Sequence, residues 1–308
     1  MASISFIMPA YKATYLSSAI ESILAQDCGD WELVIVDDCS PENLKSIVDR
    51  YCDDRIRYYR NEKNLGGRNL VNQWNYSITF ANGDWIALAA DDDIYAPSFC
   101  SECMKLMEKY PQVDLIRSRV EQIDENGGHL WDDGVLSEFT TKYEFLHDWL
   151  TAKAFSCIGN YLFRRSTLTE LGGFMDFPCA FGSDIATPIA LSNNGVANIS
   201  DMLFKFRQST QHLSADTGRF KEKLAGITQL SQWLRDLDYG EPDNDADRAF
   251  YEVHAAKYLH DKCVYDYFNL VIKFLPINKL GYLRLCTLAS GKDKVMMLLR
   301  WMKHKILR

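Results

Sequence analysis

The sequence predicts an α/β protein with a mostly parallel central sheet and a helical C-terminal appendage. In the first 111 residues, short apolar segments alternate with segments whose apolar residues recur at helical spacing. The apolar segments contain few polar residues, which is typical of strands buried on both faces of a parallel sheet. Polar clusters follow three of these segments directly, where ligands bind in such sheets.

The elements of this first half follow one another through short connections. Strands are predicted at residues 4–8, 32–36, 56–59 and 85–89. Helices are predicted at residues 15–26, 42–51, from the loop at 64–67 to about 80, and 98–109. This regular alternation predicts a sheet covered by helices on both sides.

After residue 112 the pattern becomes mixed. Strands are predicted at 113–120, 162–165 and 196–206, with a hairpin turn at 124–128 and a helix at 185–192. From about residue 219 onward only helices are predicted, apart from an acidic loop at 238–247. The second half therefore combines an irregular α/β part with a helical C-terminal region.

Composition excludes some classes of function and location. Hydrophobic residues make up 47% of the 308, so a large core can form, and the net charge of -8 argues against nucleic acid as a partner. The nine scattered cysteines fit a reducing compartment. Neither a signal-peptide pattern nor an apolar segment of membrane-spanning length is visible. We therefore expect a cytoplasmic protein.

Five segments carry a resemblance to a known family. They are Ile7–Tyr11, Val34–Ser40, Asn61–Gly66, Gly83–Asp93 and Phe163–Phe174. In this order and spacing the chain resembles the family-2 glycosyltransferases of the GT-A fold, from about residue 4 to 207. The resemblance implies an inverting transferase that moves a sugar from a nucleotide-diphosphate donor, with UDP as the default nucleotide, to a saccharide hydroxyl.

The resemblance also implies how the chain is divided. Residues 1–218 would form the GT-A catalytic domain, with a nucleotide-sugar-binding half at 1–111 and an acceptor half at 112–218. Residues 219–308 would form the helical C-terminal region. The acceptor is expected to be lipid-linked, as in the assembly of bacterial surface polysaccharides.

The aspartates at 91–93 are the predicted metal motif. Many family members carry an acid where this chain has Ala90, whereas others use two adjacent acids, here Asp91 and Asp92. We expect Asp92 to be the main ligand of Mn²⁺ or Mg²⁺ and Asp91 to assist, because hard cations prefer oxygen ligands. The alternative is a solvated turn or a helix cap.

Donor binding is expected at the edge where the predicted strands end. Asp38 would accept a hydrogen bond from the nucleotide base, and Tyr11 would stack on that base unless it packs in the core. Arg68 would balance diphosphate charge, or would be an ordinary exposed residue of a helix. The full predicted set for the nucleotide sugar is Pro9, Ala10, Tyr11, Asp38, Asn64, Arg68, Asp91 and Asp92.

Asp184 is the predicted catalytic base. It follows Gly182-Ser183 before a predicted helix, as the family's acid does in the acceptor half. A single displacement needs one carboxylate to take the proton of the acceptor hydroxyl. The alternative is N-capping of that helix by Ser183 or Asp184. His212 is a further candidate metal ligand, although a lone histidine commonly has no such role.

The C-terminal tail predicts contact with an anionic surface. Residues 273–308 contain nine basic residues and one acid. Apolar residues recur at helical spacing from 295 to 306, beside Trp301, which is typical of a helix lying in a membrane interface. We therefore expect peripheral association with the inner face of the cell membrane. The alternative is a helix packed on the protein itself.

Two other functions are alternatives to a transferase. A catalytically silent nucleotide-sugar-binding or scaffold protein on the same fold remains open because of Ala90. A dehydrogenase is disfavoured, since no G-x-G-x-x-G follows the first strand.

Overall fold

A computed structural model describes residues 3–209, 218–253 and 258–306. The strands of these residues form one sheet. They are β1 (Ile4–Ala10), β2 (Trp31–Asp37), β3 (Ile56–Arg60), β4 (Trp85–Leu88), β5 (Ile94–Tyr95), β6 (Leu115–Ile123), β7 (His129–Asp132), β8 (Phe139–Thr140), β9 (Tyr161–Arg164) and β10 (Val196–Arg207).

The sheet is mostly parallel, which confirms the predicted fold class. Its main path runs β3-β2-β1-β4-β9-β6-β10-β5, with β7 paired to β6 and β8 paired to β10. The strands β1 to β4, β6 and β10 share one direction, and β9 and β5 run against their neighbours. Because Ala10 pairs with Asp37 and Ile7 with Leu88, the carboxyl ends of three parallel strands meet at one edge.

The helices cover the sheet and form the C-terminal part. They are α1 (Leu16–Leu24), α2 (Lys45–Val48), α3 (Leu70–Ser77), α4 (Phe99–Lys109), α5 (Lys142–Leu150), α6 (Arg165–Glu170), α7 (Ser183–Ala190), α8 (Phe220–Asp236), α9 (Asp245–Val253), α10 (Leu259–Phe274) and α11 (Gly291–Ile306).

One of these helices corrects a prediction from the sequence. The end of the acidic segment 238–247, predicted as a loop, is the first turn of α9. Asn244 accepts the backbone N–H of Asp247 there, and acids are favoured at a helix N-terminus.

Two compact units divide the described residues. The first unit lies within 1–176 and 183–209, and the second within 177–182 and 210–308. The core of the first unit is formed by the sheet together with α1 and α4, including Phe6, Ile20 and Phe99. Fully burying such a side chain contributes about 1.5–3 kcal/mol. The predicted boundary at 218/219 stays a prediction.

The second unit has its own apolar core. Leu224 of α8, Tyr267 and Val271 of α10 and Trp301 of α11 are buried together. Trp301 also donates its indole N–H to the carbonyl of Leu275 at 2.9 Å. The tail helix therefore packs on the second unit through its Trp301 side.

The opposite face of α11 is exposed and still apolar. Val295, Met296 and Leu299 expose 57%, 44% and 50% of their surface, and Lys292 and Lys303 lie among them. The predicted apolar stripe is thus split between the core of the second unit and solvent. Among the residues described, no helix is long and apolar enough to cross a membrane.

Candidate active site

The aspartate triplet, Asp91–Asp93, follows β4 at the carboxyl edge of the sheet. The Oδ2 atom of Asp91 accepts the backbone N–H groups of Tyr11 at 2.8 Å and of Lys12 at 2.9 Å. Two donors on one oxygen fix this side chain and join loops that are 80 residues apart in sequence. Asp91 therefore organises the edge of the sheet by holding the loop after β1 against the triplet.

Arg207, the last residue of β10, organises the other side of the triplet. Its backbone N–H donates to Oδ1 of Asp93 at 2.9 Å, and its Nε donates to the carbonyl of Asp92 at 2.9 Å. Its guanidinium also lies 4.4 Å from the ring centre of Tyr15. Sequence reasoning missed this arrangement, because 115 residues separate Arg207 from Asp92 and no local pattern links them.

Negative charge is concentrated in the triplet. Burial, together with the charge of Asp92, raises the pKa of Asp91 to about 6. Burial and the charge of Asp92 likewise raise the pKa of Asp93 well above its ordinary value. A cation close to these carboxylates would relieve both shifts, because opposite charge favours the ionised form.

The residues present therefore fit a divalent cation held by few protein ligands. Within 3–209, 218–253 and 258–306, no group of three His, Cys, Asp or Glu side chains is arranged to hold a metal. A hard cation at the triplet would take one or two carboxylates and complete its coordination with ligand or water oxygens. His212, the other predicted metal ligand, lies outside the described residues.

Asp37 and Asp38 at the end of β2 hold the adjoining loops. Asp38 is 4% exposed and accepts three hydrogen bonds: from the Asn61 amide at 2.8 Å and from the N–H groups of Leu65 and Gly66 at 2.8 and 2.7 Å. A carboxylate offers about four lone-pair positions. One position therefore remains for a nucleotide base, and that role of Asp38 stays a prediction.

Asp37 is fully buried and has a different set of partners. It accepts hydrogen bonds from the Ser40 N–H at 2.7 Å, from the Tyr58 hydroxyl at 2.5 Å and from Arg60. Burial and the Asp37 charge raise the pKa of Tyr58 to about 12, so this phenol remains a donor at neutral pH. The Asp37 carboxylate therefore holds the turn after β2 against β3.

Pro9, Ala10 and Tyr11 form the end of β1 and the turn after it. Ala10 is fully buried and its carbonyl accepts the N–H of Asp38 at 2.9 Å. Tyr11 is 41% exposed, and its carbonyl accepts the Ser40 hydroxyl at 2.6 Å. Its backbone is therefore fixed on both sides while part of its ring faces solvent, which suits stacking with a flat ligand.

Asn64 and Arg68 lie in the loop between β3 and α3. The Asn64 side chain accepts the N–H of Gly67 and so closes the turn. Arg68 is exposed and precedes Asn69, whose side chain caps α3 by accepting the N–H groups of Val71 and Asn72. The loop is ordered by these bonds and by Asp38, and a donor contact from Arg68 stays a prediction.

Asp184 lies in the first turn of α7 and is half-buried. Its location relative to the triplet is indicated by Cys157, a buried thiol between β8 and β9. Burial and the charges of Asp93 and Asp184 raise the pKa of that thiol. The segment around Cys157 also makes direct contacts on both sides: the Ser156 hydroxyl donates to the carbonyl of Asp184 at 2.6 Å, and the carbonyl of Gly159 accepts the Tyr95 hydroxyl at 2.8 Å. This segment therefore joins α7 to β5, the strand that directly follows the triplet, and the role of Asp184 as a base stays a prediction.

Comparison with known proteins identifies the family. The profile of Glycosyl transferase family 2 matches residues 5–172, which include β2, the triplet and β9. The chain belongs to glycosyl transferase family 2. This confirms the resemblance drawn from the five sequence segments.

Curated relatives match this chain over part of their length. An uncharacterized glycosyltransferase of Methanocaldococcus jannaschii is 36% identical over 149 residues, 46% of this chain and 48% of the relative. WcaA of Escherichia coli K12, a putative colanic acid biosynthesis glycosyl transferase by its name, is 40% identical over 98 residues, 31% of this chain and 34% of the relative. The chain therefore spans about half or less of the curated relatives it matches.

Solved structures of the same fold cover nearly the whole chain. Residues 1–349 of S. aureus TarS in complex with UDP-GlcNAc align with a TM-score of 0.64 at 16% identity, over 99% of this chain and 88% of that one. The mannosyltransferase PcManGT of Pyrobaculum calidifontis, in complex with GDP-Man and Mn²⁺, aligns with a TM-score of 0.57 at 17% identity, over 97% and 79%. At these identities the likeness establishes the GT-A fold.

Proposed function

We propose that this chain is an inverting, metal-dependent glycosyltransferase. It would move a sugar from a nucleotide-diphosphate donor, a UDP-sugar by first choice, to a hydroxyl of a saccharide acceptor. The observation that carries this proposal is the triplet, which is held from both sides at the carboxyl edge of the sheet, while segment 156–159 links the strand after it to Asp184. Relatives and structural neighbours support it, since TarS is described with UDP-GlcNAc and PcManGT with GDP-Man and Mn²⁺.

Each residue has a role in the proposed reaction. Asp38 would accept a base N–H at its remaining lone pair, Tyr11 would stack on the base, and Arg68 would lie toward the diphosphate. Asp92, assisted by Asp91, would hold Mn²⁺ or Mg²⁺. The cation supplies charge neutralisation for the leaving diphosphate.

Proton transfer is assigned to Asp184. Its carboxylate would accept the proton of the acceptor hydroxyl while that oxygen forms a bond to the anomeric carbon. The bond from the anomeric carbon to the diphosphate breaks on the opposite face, and its electron pair leaves with the nucleoside diphosphate. One displacement of this kind inverts the configuration of the anomeric carbon.

The acceptor and the location are proposed from the tail and from one relative. WfgD of E. coli, 36% identical over 93 residues, is described as a UDP-Glc:α-D-GlcNAc-diphosphoundecaprenol β-1,3-glucosyltransferase. The exposed apolar and basic face of α11 would place such a lipid-linked acceptor near the protein. We therefore propose that the protein associates peripherally with the inner face of a bacterial cell membrane and acts in surface polysaccharide synthesis.

Calorimetric titration with UDP, GDP and dTDP, each with Mn²⁺ and with EDTA, tests the donor part. We expect one nucleotide to bind with Mn²⁺, and Asp92→Ala to weaken that binding at least tenfold. Asp84→Ala is the matched control, because the Asp84 side chain is 86% exposed. Absence of binding under every condition would refute the transferase proposal and favour the silent scaffold protein.

A further inference from the structure

Helix α7 contains a proline that removes one of its own hydrogen-bond donors. Pro188 lies inside α7, four residues after Asp184. In an α-helix the N–H of residue i+4 bonds to the carbonyl of residue i, and proline has no N–H. The carbonyl of Asp184 therefore cannot receive its usual helical partner. This is the backbone of the residue assigned as the catalytic base.

Ser156 supplies a donor to that same carbonyl. Its hydroxyl donates to the backbone oxygen of Asp184 at 2.6 Å, from 28 residues away in sequence. The Ser156 oxygen also lies 3.0 Å from the hydroxyl of Tyr161, which is 1% exposed. A serine hydroxyl has one proton to donate, and that of Ser156 is directed to the Asp184 carbonyl. The Tyr161 hydroxyl is therefore the donor to Ser156. Two successive hydrogen bonds therefore link the Tyr161 hydroxyl, the Ser156 hydroxyl and the Asp184 carbonyl.

A buried ion pair fixes the backbone from which Ser156 projects. Oδ1 of Asp133 accepts the N–H of Phe155 at 2.8 Å, and Nη2 of Arg117 donates to the carbonyl of Phe155 at 3.0 Å. Arg117 and Asp133 also pair with each other, and their side chains are fully buried. Phe155 is therefore held at both of its peptide groups, one residue before Ser156.

We infer that Ser156 is a positioning residue for Asp184, replacing the helical hydrogen bond that Pro188 cannot make. The inference rests on the proposed function, in which Asp184 takes the acceptor proton. By holding the first turn of α7 at a fixed place, Ser156 sets the direction of the Asp184 carboxylate. Its loss would slow the chemical step and leave donor binding unchanged, because its hydroxyl bonds to Tyr161 and Asp184, neither of which is assigned to the donor.

A double-mutant cycle with Ser156→Ala and Pro188→Ala tests whether the Ser156 hydrogen bond replaces the missing helical one. Turnover is measured as release of nucleoside diphosphate from the donor found by titration, with a short-chain GlcNAc-diphosphate-lipid as acceptor. Ser156→Ala should lower kcat about tenfold while the Kd of the nucleotide stays within about twofold. In the double variant, Pro188→Ala brings back a backbone N–H for the Asp184 carbonyl, so kcat should recover to within about threefold of the Pro188→Ala single variant.

A matched control and a measurement independent of turnover complete the test. Ser192→Ala removes another buried hydroxyl that donates to a backbone carbonyl, that of Ile189 at 2.7 Å, and should leave kcat within about twofold. Hydrogen exchange of the new amide at position 188 should show protection in the double variant. Thermal unfolding midpoints of the same four proteins should show that Ser156→Ala destabilises less when Pro188→Ala is also present.

The outcomes separate this inference from the proposed function. If Asp184→Asn retains turnover, the assignment of the base is wrong. If Asp184→Asn is inactive but Ser156→Ala keeps wild-type kcat, or if Pro188→Ala gives no rescue, positioning by Ser156 is refuted. An unprotected amide at position 188, together with additive losses in the unfolding cycle, refutes the replacement of the helical bond whether or not turnover is detected.

Discussion

The carboxylate of Asp38 offers a direct test of how the nucleotide edge is held together. Replacing Asp38 by asparagine keeps the size of the side chain but leaves one acceptor oxygen. If that oxygen keeps the Asn61 and Leu65 donors, the new amide faces the Gly66 N–H, whose present acceptor is 2.7 Å away. Two donors then oppose each other, and the loop from 61 to 66 loses one charge-assisted bond.

The expected cost follows from these three bonds. A hydrogen bond to a charged group contributes about 1.5–3 kcal/mol, and the two remaining bonds each weaken by about 0.5 kcal/mol when the charge is lost. We therefore expect Asp38→Asn to lower the free energy of unfolding by about 2.5–4 kcal/mol. Urea unfolding at pH 7 measures this difference directly.

Asp84→Asn is the control for that experiment. It makes the same chemical change at an exposed side chain, so the free energy of unfolding should stay within about 0.5 kcal/mol of wild type. An equally small effect of Asp38→Asn would refute the conclusion that this carboxylate holds the loop. In that case the three bonds would contribute nothing beyond what water supplies to the loop.

Two further predictions concern charge at the triplet and the exposed face of α11. Because burial raises the pKa of Asp91 from 3.8 to about 6, protonated Asp91 contributes stability that is fully present below pH 3.8 and is lost as pH rises through about 6. Without metal, the Tm of wild type should therefore fall between pH 3.8 and about 6, and the Tm of Asp91→Asn should fall less. An equal fall in both proteins would contradict the raised pKa of Asp91. Leu299→Asp should reduce flotation with anionic vesicles at least threefold. The control Leu130→Asp changes a residue of similar exposure, 49%, and should leave flotation unchanged. Equal flotation of both variants would refute membrane docking by α11.

The parallel half of the sheet was predictable because its signals are local. Segments such as 33–36 are apolar without interruption, and the acids that follow them mark the edge where strands end. β5 was missed because a two-residue strand has no periodicity, and it forms only by pairing with β10. The predicted helix at 42–51 shortened to α2, since only Val48 of that helix is buried.

The site was predictable in its residue types and less so in its contacts. Asp91, Asp38 and Asp184 stand out as acids at the ends of strands or the start of a helix. Their partners do not, because hydrogen bonds such as Ser156 to Asp184 join positions that only the folded chain brings together. A proline inside a predicted helix was the one local signal that α7 needs a donor from elsewhere.

The contact of Arg207 with the triplet has a consequence for the order in which the site is built. The residues that would bind the donor are all present once the ribosome has added residue 93. The strand that pairs with Ile94 and Tyr95, and the N–H that Asp93 accepts, arrive more than 100 residues later. A nascent chain ending at residue 111 would carry every acid of the triplet without its final conformation. The contacts that hold Asp92 and Asp93 would therefore form only after β10 has been synthesised and has joined the sheet.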